Sequence, residues 1–386
     1  MTSATSTRAR RIVMWLPGLA EHGGIARHNR SLCKAVCAYA REHGASVDVV
    51  SLRDADGFFD PEFLMRPLVG CEKRSLRFGL AALSSLRAGF DLLVVGVVDF
   101  GPLVPLARVR SPSAPILTIT HGIEVWKPLP IQMRVALTQA TSVMSVSAYT
   151  ADAVARRHGV KRSRITVIPP PLDPGFLSAA KESSTEPPAA PASRLLSISR
   201  LNSIDAPKGV DRVIEALPIV RMRIPDVDYT VIGTGDDRIR LEGLASRLDV
   251  ADMTHFVGAV TDAELHSYLR GTELFVLPSA KEGFGIVFLE AAAHGKAVIG
   301  GNHGGTPEVV LDEETGVLLD ATDVPRLAEA ISELLLDERR RDELGRSGER
   351  RVRESYSYER FEERVGVALD GLLRNGGASP SLAATR

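Results

Sequence analysis

Short apolar runs of Val, Ile, Leu and Thr recur through the chain, separated by stretches of helical periodicity. They fall at residues 11–16, 46–52, 91–98, 115–120, 141–147 and 165–168, then again at 194–199, 228–232, 253–257, 274–277, 297–300 and 316–319. Runs apolar on both faces suit strands buried on both sides, and strands alternating with helices predict a doubly wound parallel α/β sheet. Residues 178–193 interrupt the pattern: they are poor in apolar side chains and rich in Pro, Ala and Ser, which reads as a linker. The 386 residues exceed what one hydrophobic core usually serves. The expected division is therefore a domain over 1–177, the linker, a second domain over 194–357, a helix over 358–374 and a disordered tail over 375–386.

Composition excludes several classes. No apolar stretch approaches the roughly 20 residues that span a bilayer, and the run at 92–98 is one strand. Arginines precede the apolar run at 11–16, but that run is short and no small-x-small cleavage pattern follows, so an export signal is not expected. Cys33, Cys37 and Cys71 form no even disulfide set, which fits a reducing cytoplasm; Cys33 and Cys37 read as core residues. Residues 1–190 carry 23 Lys and Arg against 15 Asp and Glu, a net +8, while 191–386 carry 24 against 33, a net −9. A basic half suits an anionic acceptor or an anionic membrane surface. Nucleic acid is not an expected partner.

The densest chemistry lies between Pro278 and Glu308, PSAKEGFGIVFLEAAAHGKAVIGGNHGGTPE. A buried strand stops at Pro278, and Gly283, Phe284 and Gly285 open a helix whose first N–H groups and positive dipole end can face an anion. Glu282 beside that helix end is placed to accept hydrogen bonds from sugar hydroxyls, and Glu290, set back along the helix, suits the diol of a ribose. Arg200, after the first strand of the second half, and Lys208, at the start of the next helix, would together neutralise a diphosphate. Gly233 and Gly235 end another strand, but position 238 is Arg, so the dinucleotide fingerprint is incomplete and NAD is not expected. In the first half, Gly23 and Gly24 form a bare turn before a helix. His121 ends a strand where a neutral imidazole can hydrogen-bond a hydroxyl, Glu124 can orient either the acceptor or His121, and Ser147 and Thr150 read as helix caps. Residues 73–87 mix Leu76, Phe78, Leu80 and Leu83 with Arg74, Arg77 and Arg87. They read as a helix laid on its sheet, with docking on an anionic membrane as the alternative.

The 278–308 segment resembles the signature of the retaining, nucleotide-sugar-dependent glycosyltransferases of family 4, including their Glu-x7-Glu pair at Glu282 and Glu290. The similarity runs from Gly23-Gly24 to the region of Ser357. It implies the GT-B fold, two Rossmann-like domains facing each other across a cleft, with helix 358–374 crossing back onto the first domain. It also implies that Arg200 and Lys208 are the family's R…KG cations, although the segment between them is longer than usual. Gly23-Gly24 would approach the diphosphate, His121 would touch the transferred sugar, and Gly233, Gly235, Gly283, Phe284 and Gly285 would line the donor. The expected reaction is hexosyl transfer from a nucleotide-diphosphate sugar to a glycan or lipid-linked acceptor in bacterial surface polysaccharide assembly. Attack would come on the front face, with the departing phosphate as base. No metal ion and no cofactor beyond the donor are expected, and the location would be cytoplasmic or the inner face of the cell membrane. A nucleotide-sugar epimerase and a non-catalytic nucleotide-sugar-binding subunit are the alternatives.

Overall fold

The computed structural model describes residues 9–21, 23–181, 193–203 and 208–374. The chain divides into two compact units, Met1–Pro171 with Tyr358–Arg386, and Leu172–Ser357.

The first unit begins with β1 (Arg11–Leu16), α1 (Gly24–Glu42), β2 (Ser46–Ser51), β3 (Val69–Gly70), α2 (Ser75–Ser85), β4 (Leu92–Val95) and α3 (Val104–Arg110). It continues with β5 (Ile116–Thr120), α4 (Ile131–Thr138), β6 (Ser142–Ser145), α5 (Ala148–His158) and β7 (Ile165–Val167). The strands make one parallel sheet in the order β3-β2-β1-β4-β5-β6-β7. Side chains of β1 alternate between two cores. Ile12, Met14 and Leu16 enter one with α1, and Val13 and Trp15 enter the other with Phe78, Phe100 and Val104.

The second unit starts earlier than the composition suggests. Residues 178–181 complete α6 (Pro174–Lys181) rather than a linker, because Phe176 packs its ring on His266, 4.3 Å between centroids. Of the expected linker, 182–192 lies outside the described residues, as does the tail from 375. Then follow β8 (Ser193–Ile198), α7 (Val210–Arg223), β9 (Tyr229–Ile232), α8 (Arg238–Arg247), β10 (Thr254–Gly258), α9 (Asp262–Gly271) and β11 (Thr272–Leu277). The unit closes with α10 (Ile286–Ala293), β12 (Ala297–Gly301), α11 (Thr306–Val309), β13 (Val317–Leu319), α12 (Val324–Leu336) and α13 (Glu338–Ser355). Its parallel sheet runs β10-β9-β8-β11-β12-β13. The last helix, α14 (Tyr358–Arg374), belongs to the first unit, where Phe361, Val365 and Leu369 share a core with α1 and the Tyr39 hydroxyl donates to Asp370 at 2.7 Å.

Both sheets reverse their winding once, between β1 and β4 in the first unit and between β8 and β11 in the second. In open α/β sheets ligands bind outside the strand ends at such a reversal.

One helix divides the apolar residues named in the sequence between two faces. In α2 the stripe Leu76, Leu80 and Leu83 faces outward, 87%, 72% and 37% exposed, while Phe78, Ala82 and the following Leu86 face the sheet. Two stripes compete on this helix. The aromatic one wins because Phe78 stacks on Phe100 with centroids 4.3 Å apart.

Candidate functional site

In the second unit the loops after β8 and β11 meet at the winding reversal. β11 ends in the buried run Leu274–Leu277, and the chain then reaches Gly285, the N-cap of α10, at φ 100°. Glycine is required there by space as well as by angle. A Cβ would sit 2.6 Å from the Phe288 ring and 3.2 Å from Glu282 Cγ. The Gly305 N–H donates to the Glu282 carbonyl at 2.7 Å, which ties the loop after β12 to the 282–285 turn. Behind both, the Tyr356 hydroxyl and the Arg351 guanidinium donate to the Glu308 carbonyl at 2.6 and 2.9 Å, and Tyr356 meets Phe284 edge to face.

Lys208 and Glu282, both singled out in the sequence, come together: Nζ lies 2.6 Å from Oε2, with the side chains 16% and 14% exposed. The approach is possible because Gly209, at φ 85°, brings the start of α7 against the backbone of Pro278, where a Cβ would lie 2.3 Å from the carbonyl oxygen. Arg200 is exposed, in the loop straight after β8. Gly233 and Gly235 press against its neighbours: added Cβ atoms would lie 1.7 Å from the Ser199 carbonyl and 2.0 Å from that of Leu201. These two glycines thus shape the Arg200 loop through its backbone. Asp236 extends the same support by accepting from the Ser203 N–H and hydroxyl at 2.9 Å, hydrogen bonds that hold its carboxyl below the usual carboxylate range.

Glu290, the fifth residue of α10, is 2% exposed, which removes it from any solvated helix face. Its carbonyl accepts from His294 Nδ1 at 2.8 Å, and His294 Nε2 accepts in turn from His266 Nδ1 at 2.9 Å. A carbonyl only accepts, so the His294 proton is fixed on Nδ1. Burial, with His266, Lys296 and Arg270 nearby, pulls the His294 pKa down to about 3. Sequence reasoning missed this pair. The only signal was the spacing of four between Glu290 and His294.

In the first unit Gly23 caps α1 at φ 127°, with open space where a Cβ would be. The turn before it is pinned by Asp54, which accepts from the Leu19 and Ala20 N–H groups at 2.9 Å and from the Ser51 hydroxyl at 2.6 Å. His121, directly after β5, is held on three sides. Its backbone N–H donates to Glu124 Oε1 at 2.5 Å, Nε2 lies 2.9 Å from the Gly96 carbonyl, and Nδ1 lies 3.4 Å from Nδ1 of His28 on α1. Both ring nitrogens are therefore engaged inside the unit, a constraint that the sequence did not reveal. Ser147 caps α5 by accepting from the Thr150 N–H. Among the described residues no group of three or more His, Cys, Asp and Glu is placed to hold a metal ion.

Two family profiles match, "Glycosyltransferase Family 4" over residues 22–176 and "Glycosyl transferases group 1" over 189–351. A relative in Mycolicibacterium smegmatis, a GDP-mannose-dependent alpha-(1-6)-phosphatidylinositol monomannoside mannosyltransferase, is 33% identical over 304 residues, covering 72% of this chain and 77% of its own. The chain is a family 4 glycosyltransferase. A second relative of this glycosyltransferase, the GDP-mannose-dependent monoacylated alpha-(1-6)-phosphatidylinositol monomannoside mannosyltransferase of Corynebacterium glutamicum, is 31% identical over 69% of the chain and 74% of its own. Solved structures extend the likeness to the fold. Anabaena HepE in complex with UDP and glucose superposes at TM-score 0.77 with 18% identity, over 93% of this glycosyltransferase and 99% of HepE. Sucrose-phosphate synthase from Thermosynechococcus elongatus superposes at 0.75 with 22% identity, over 95% and 100%. The two Rossmann-like domains of this glycosyltransferase are those of GT-B.

Proposed function

We propose that this glycosyltransferase moves a hexosyl group, with retention, from a nucleotide-diphosphate sugar to a lipid-linked or glycan acceptor in surface polysaccharide assembly. The observation that carries the reading is the Lys208–Glu282 contact at the winding reversal, with Glu290 buried eight residues further on. Lys208, Arg200 and the N-terminus of α10 supply positive potential for a diphosphate, Glu282 faces the sugar, and Glu290 takes the ribose diol. Those cations make an essential metal ion unnecessary, and no cofactor is needed beyond the donor. The relatives named above favour GDP-mannose as donor and a phosphoinositol lipid as acceptor.

A lipid-linked acceptor asks for contact with a membrane, and the first unit has a surface suited to it. Helices α2, α3 and α4 contain no Asp or Glu, expose Leu76, Leu80, Val109 and Ile131, and carry Arg110 and Arg134 besides Arg77, which pairs with Asp56 and Glu72, and Arg108, which donates to backbone carbonyls. No helix among the described residues is long and apolar enough to cross a membrane.

The deciding experiment is a thermal-shift screen against GDP- and UDP-sugars followed by product analysis with a phosphoinositol lipid acceptor. A matching donor at about 100 times its dissociation constant should stabilise the protein by ~2.7 kcal/mol, and the glycosylated lipid should keep the anomeric configuration of the donor. Inverted product removes retention, loss of turnover in EDTA removes metal independence, and an isomerised nucleotide sugar without transfer replaces the reading with epimerisation.

A further inference from the structure

Behind His121 lies a second histidine with no role in the reading above. His28 stands one turn into α1 and is 2% exposed. Its ring is wedged edge-on between His121, 5.3 Å between centroids and 78° between planes, and Phe361 of α14, at 5.8 Å and 77°. Its Nε2 is buried and finds no partner among the described residues, so the contact to His121 Nδ1 at 3.4 Å is the one hydrogen bond its ring makes there. A buried polar ring with a single partner costs stability that an apolar side chain would not, and it calls for an explanation beyond packing.

Proton placement supplies one. The Gly96 carbonyl can only accept, so His121 Nε2 carries a hydrogen. In the neutral pair His121 Nδ1 is then a lone pair, and the hydrogen between the two Nδ1 atoms belongs to His28. This leaves His28 Nε2 as a bare buried acceptor; the opposite arrangement would strand a buried N–H, which is rarer in folded proteins. Burial and the neighbouring His121 push the His28 pKa well below its ordinary value, so His28 stays neutral. An imidazole nitrogen has one in-plane lone pair, and at 3.4 Å the His28 N–H holds it only weakly, so a sugar hydroxyl can take it over as an acceptor without the ring moving.

We propose that His28 is a positioning residue: its Nδ1–H, together with the Gly96 carbonyl, holds the His121 imidazole in one plane and one tautomer, so that His121 meets its substrate hydroxyl as a hydrogen-bond acceptor. The inference rests on the reading that His121 contacts the substrate. It assigns His121 no proton donation, since its only N–H is taken up by Gly96.

The test compares His28→Asn, His28→Gln, His28→Leu, His121→Ala and the double variant His28→Leu/His121→Ala, with kcat, KM for the donor and thermal melting measured on each. Asparagine places its amide nitrogen near the site of histidine Nδ1, and glutamine places it one bond further out. His28→Gln and His28→Leu should lower kcat about tenfold, less than the roughly 10²-fold that a misplacement of about 1 Å can cost, because His121 keeps its bond to Gly96. His28→Asn should restore most of that loss, with KM little changed throughout. Adding His28→Leu to His121→Ala should cost no further turnover, because His28 acts only through His121. An equal loss from His28→Leu in both backgrounds overturns the inference, and so do equal activities of the Asn and Gln variants, a comparison that holds even where His28→Leu folds poorly. Full turnover in His121→Ala overturns the reading of His121 itself, a result distinct from the other two.

Discussion

Lys208 Nζ and Glu282 Oε2 lie 2.6 Å apart and join the two loops that flank the winding reversal of the second sheet. In the free protein a cation suited to phosphate and a carboxylate suited to sugar hydroxyls neutralise each other. A donor that uses both must divide the pair. Glu282→Gln removes the counter-ion and should strengthen binding of the nucleoside diphosphate alone by about fivefold, since partly buried opposite charges hold each other by on the order of 1 kcal/mol. Transfer should fall in the same variant if, as proposed, Glu282 accepts hydrogen bonds from the sugar. Calorimetry with GDP and with GDP-mannose separates the two effects, and weaker GDP binding would remove the assignment.

Arg200 is exposed beside the same reversal, in a loop shaped through Gly233 and Gly235. In the proposed reading its charge is worth most when the diphosphate gains charge on leaving, so Arg200→Ala should lower kcat on the order of 10²-fold with a smaller change in donor KM. Steady-state kinetics checks this, and near-normal turnover excludes Arg200 from the reaction.

Glu290 sits at 2% exposure among Phe288, Leu289 and the alanines of α10. Glu290→Ala should weaken nucleotide binding by roughly 1–3 kcal/mol through lost hydrogen bonds. Binding to a 2′,3′-dideoxy nucleotide should be unaffected by the substitution. Equal losses with both nucleotides would mean that Glu290 supports the fold and does not touch the ribose.

The strands were legible because their two-sided apolar runs have no competing reading: 11–16 coincides with β1, and 274–277 closes β11. β3 escaped notice because two residues leave no pattern, and Val98 left its strand for a 3-10 turn that runs into Pro102. The contact of Lys208 with Glu282 follows from strand order, in which β8 lies beside β11 although 74 positions separate the two residues, and local sequence does not encode that adjacency. The histidine pairs, His28 with His121 and His266 with His294, were invisible for the same reason. In α2 the apolar residues were visible, but which of them would face the sheet depended on where Phe100 would lie.

The outward stripe of α2 is testable by charge. Leu76→Asp/Leu80→Asp replaces two exposed side chains, so the fold should melt within a degree or two of the parent, as surface substitutions usually stay within about ±0.5 kcal/mol. Sedimentation with vesicles containing anionic phospholipid should fall sharply, while turnover on a water-soluble acceptor analogue should persist. Equal sedimentation of parent and variant would exclude the α2 stripe as the lipid contact.

The His266–His294 pair predicts how stability responds to acid. The His294 pKa is pulled down from 6.5 to about 3 in the folded protein by burial and by the neighbouring cations. The unfolded chain therefore binds a proton that the folded chain refuses as pH drops below about 6.5. The contribution of this group to stability is fully present above that pH and is lost towards pH 3, by up to about 1.4 kcal/mol per pH unit. His294→Asn keeps a donor for the Glu290 carbonyl but cannot titrate, so its loss of stability between pH 6 and pH 4 should be shallower than that of the parent by about one proton. Urea unfolding at several pH values measures the two slopes. Parallel slopes would mean that His294 takes up its proton without leaving the Glu290 carbonyl, and that the pair does not resist acid.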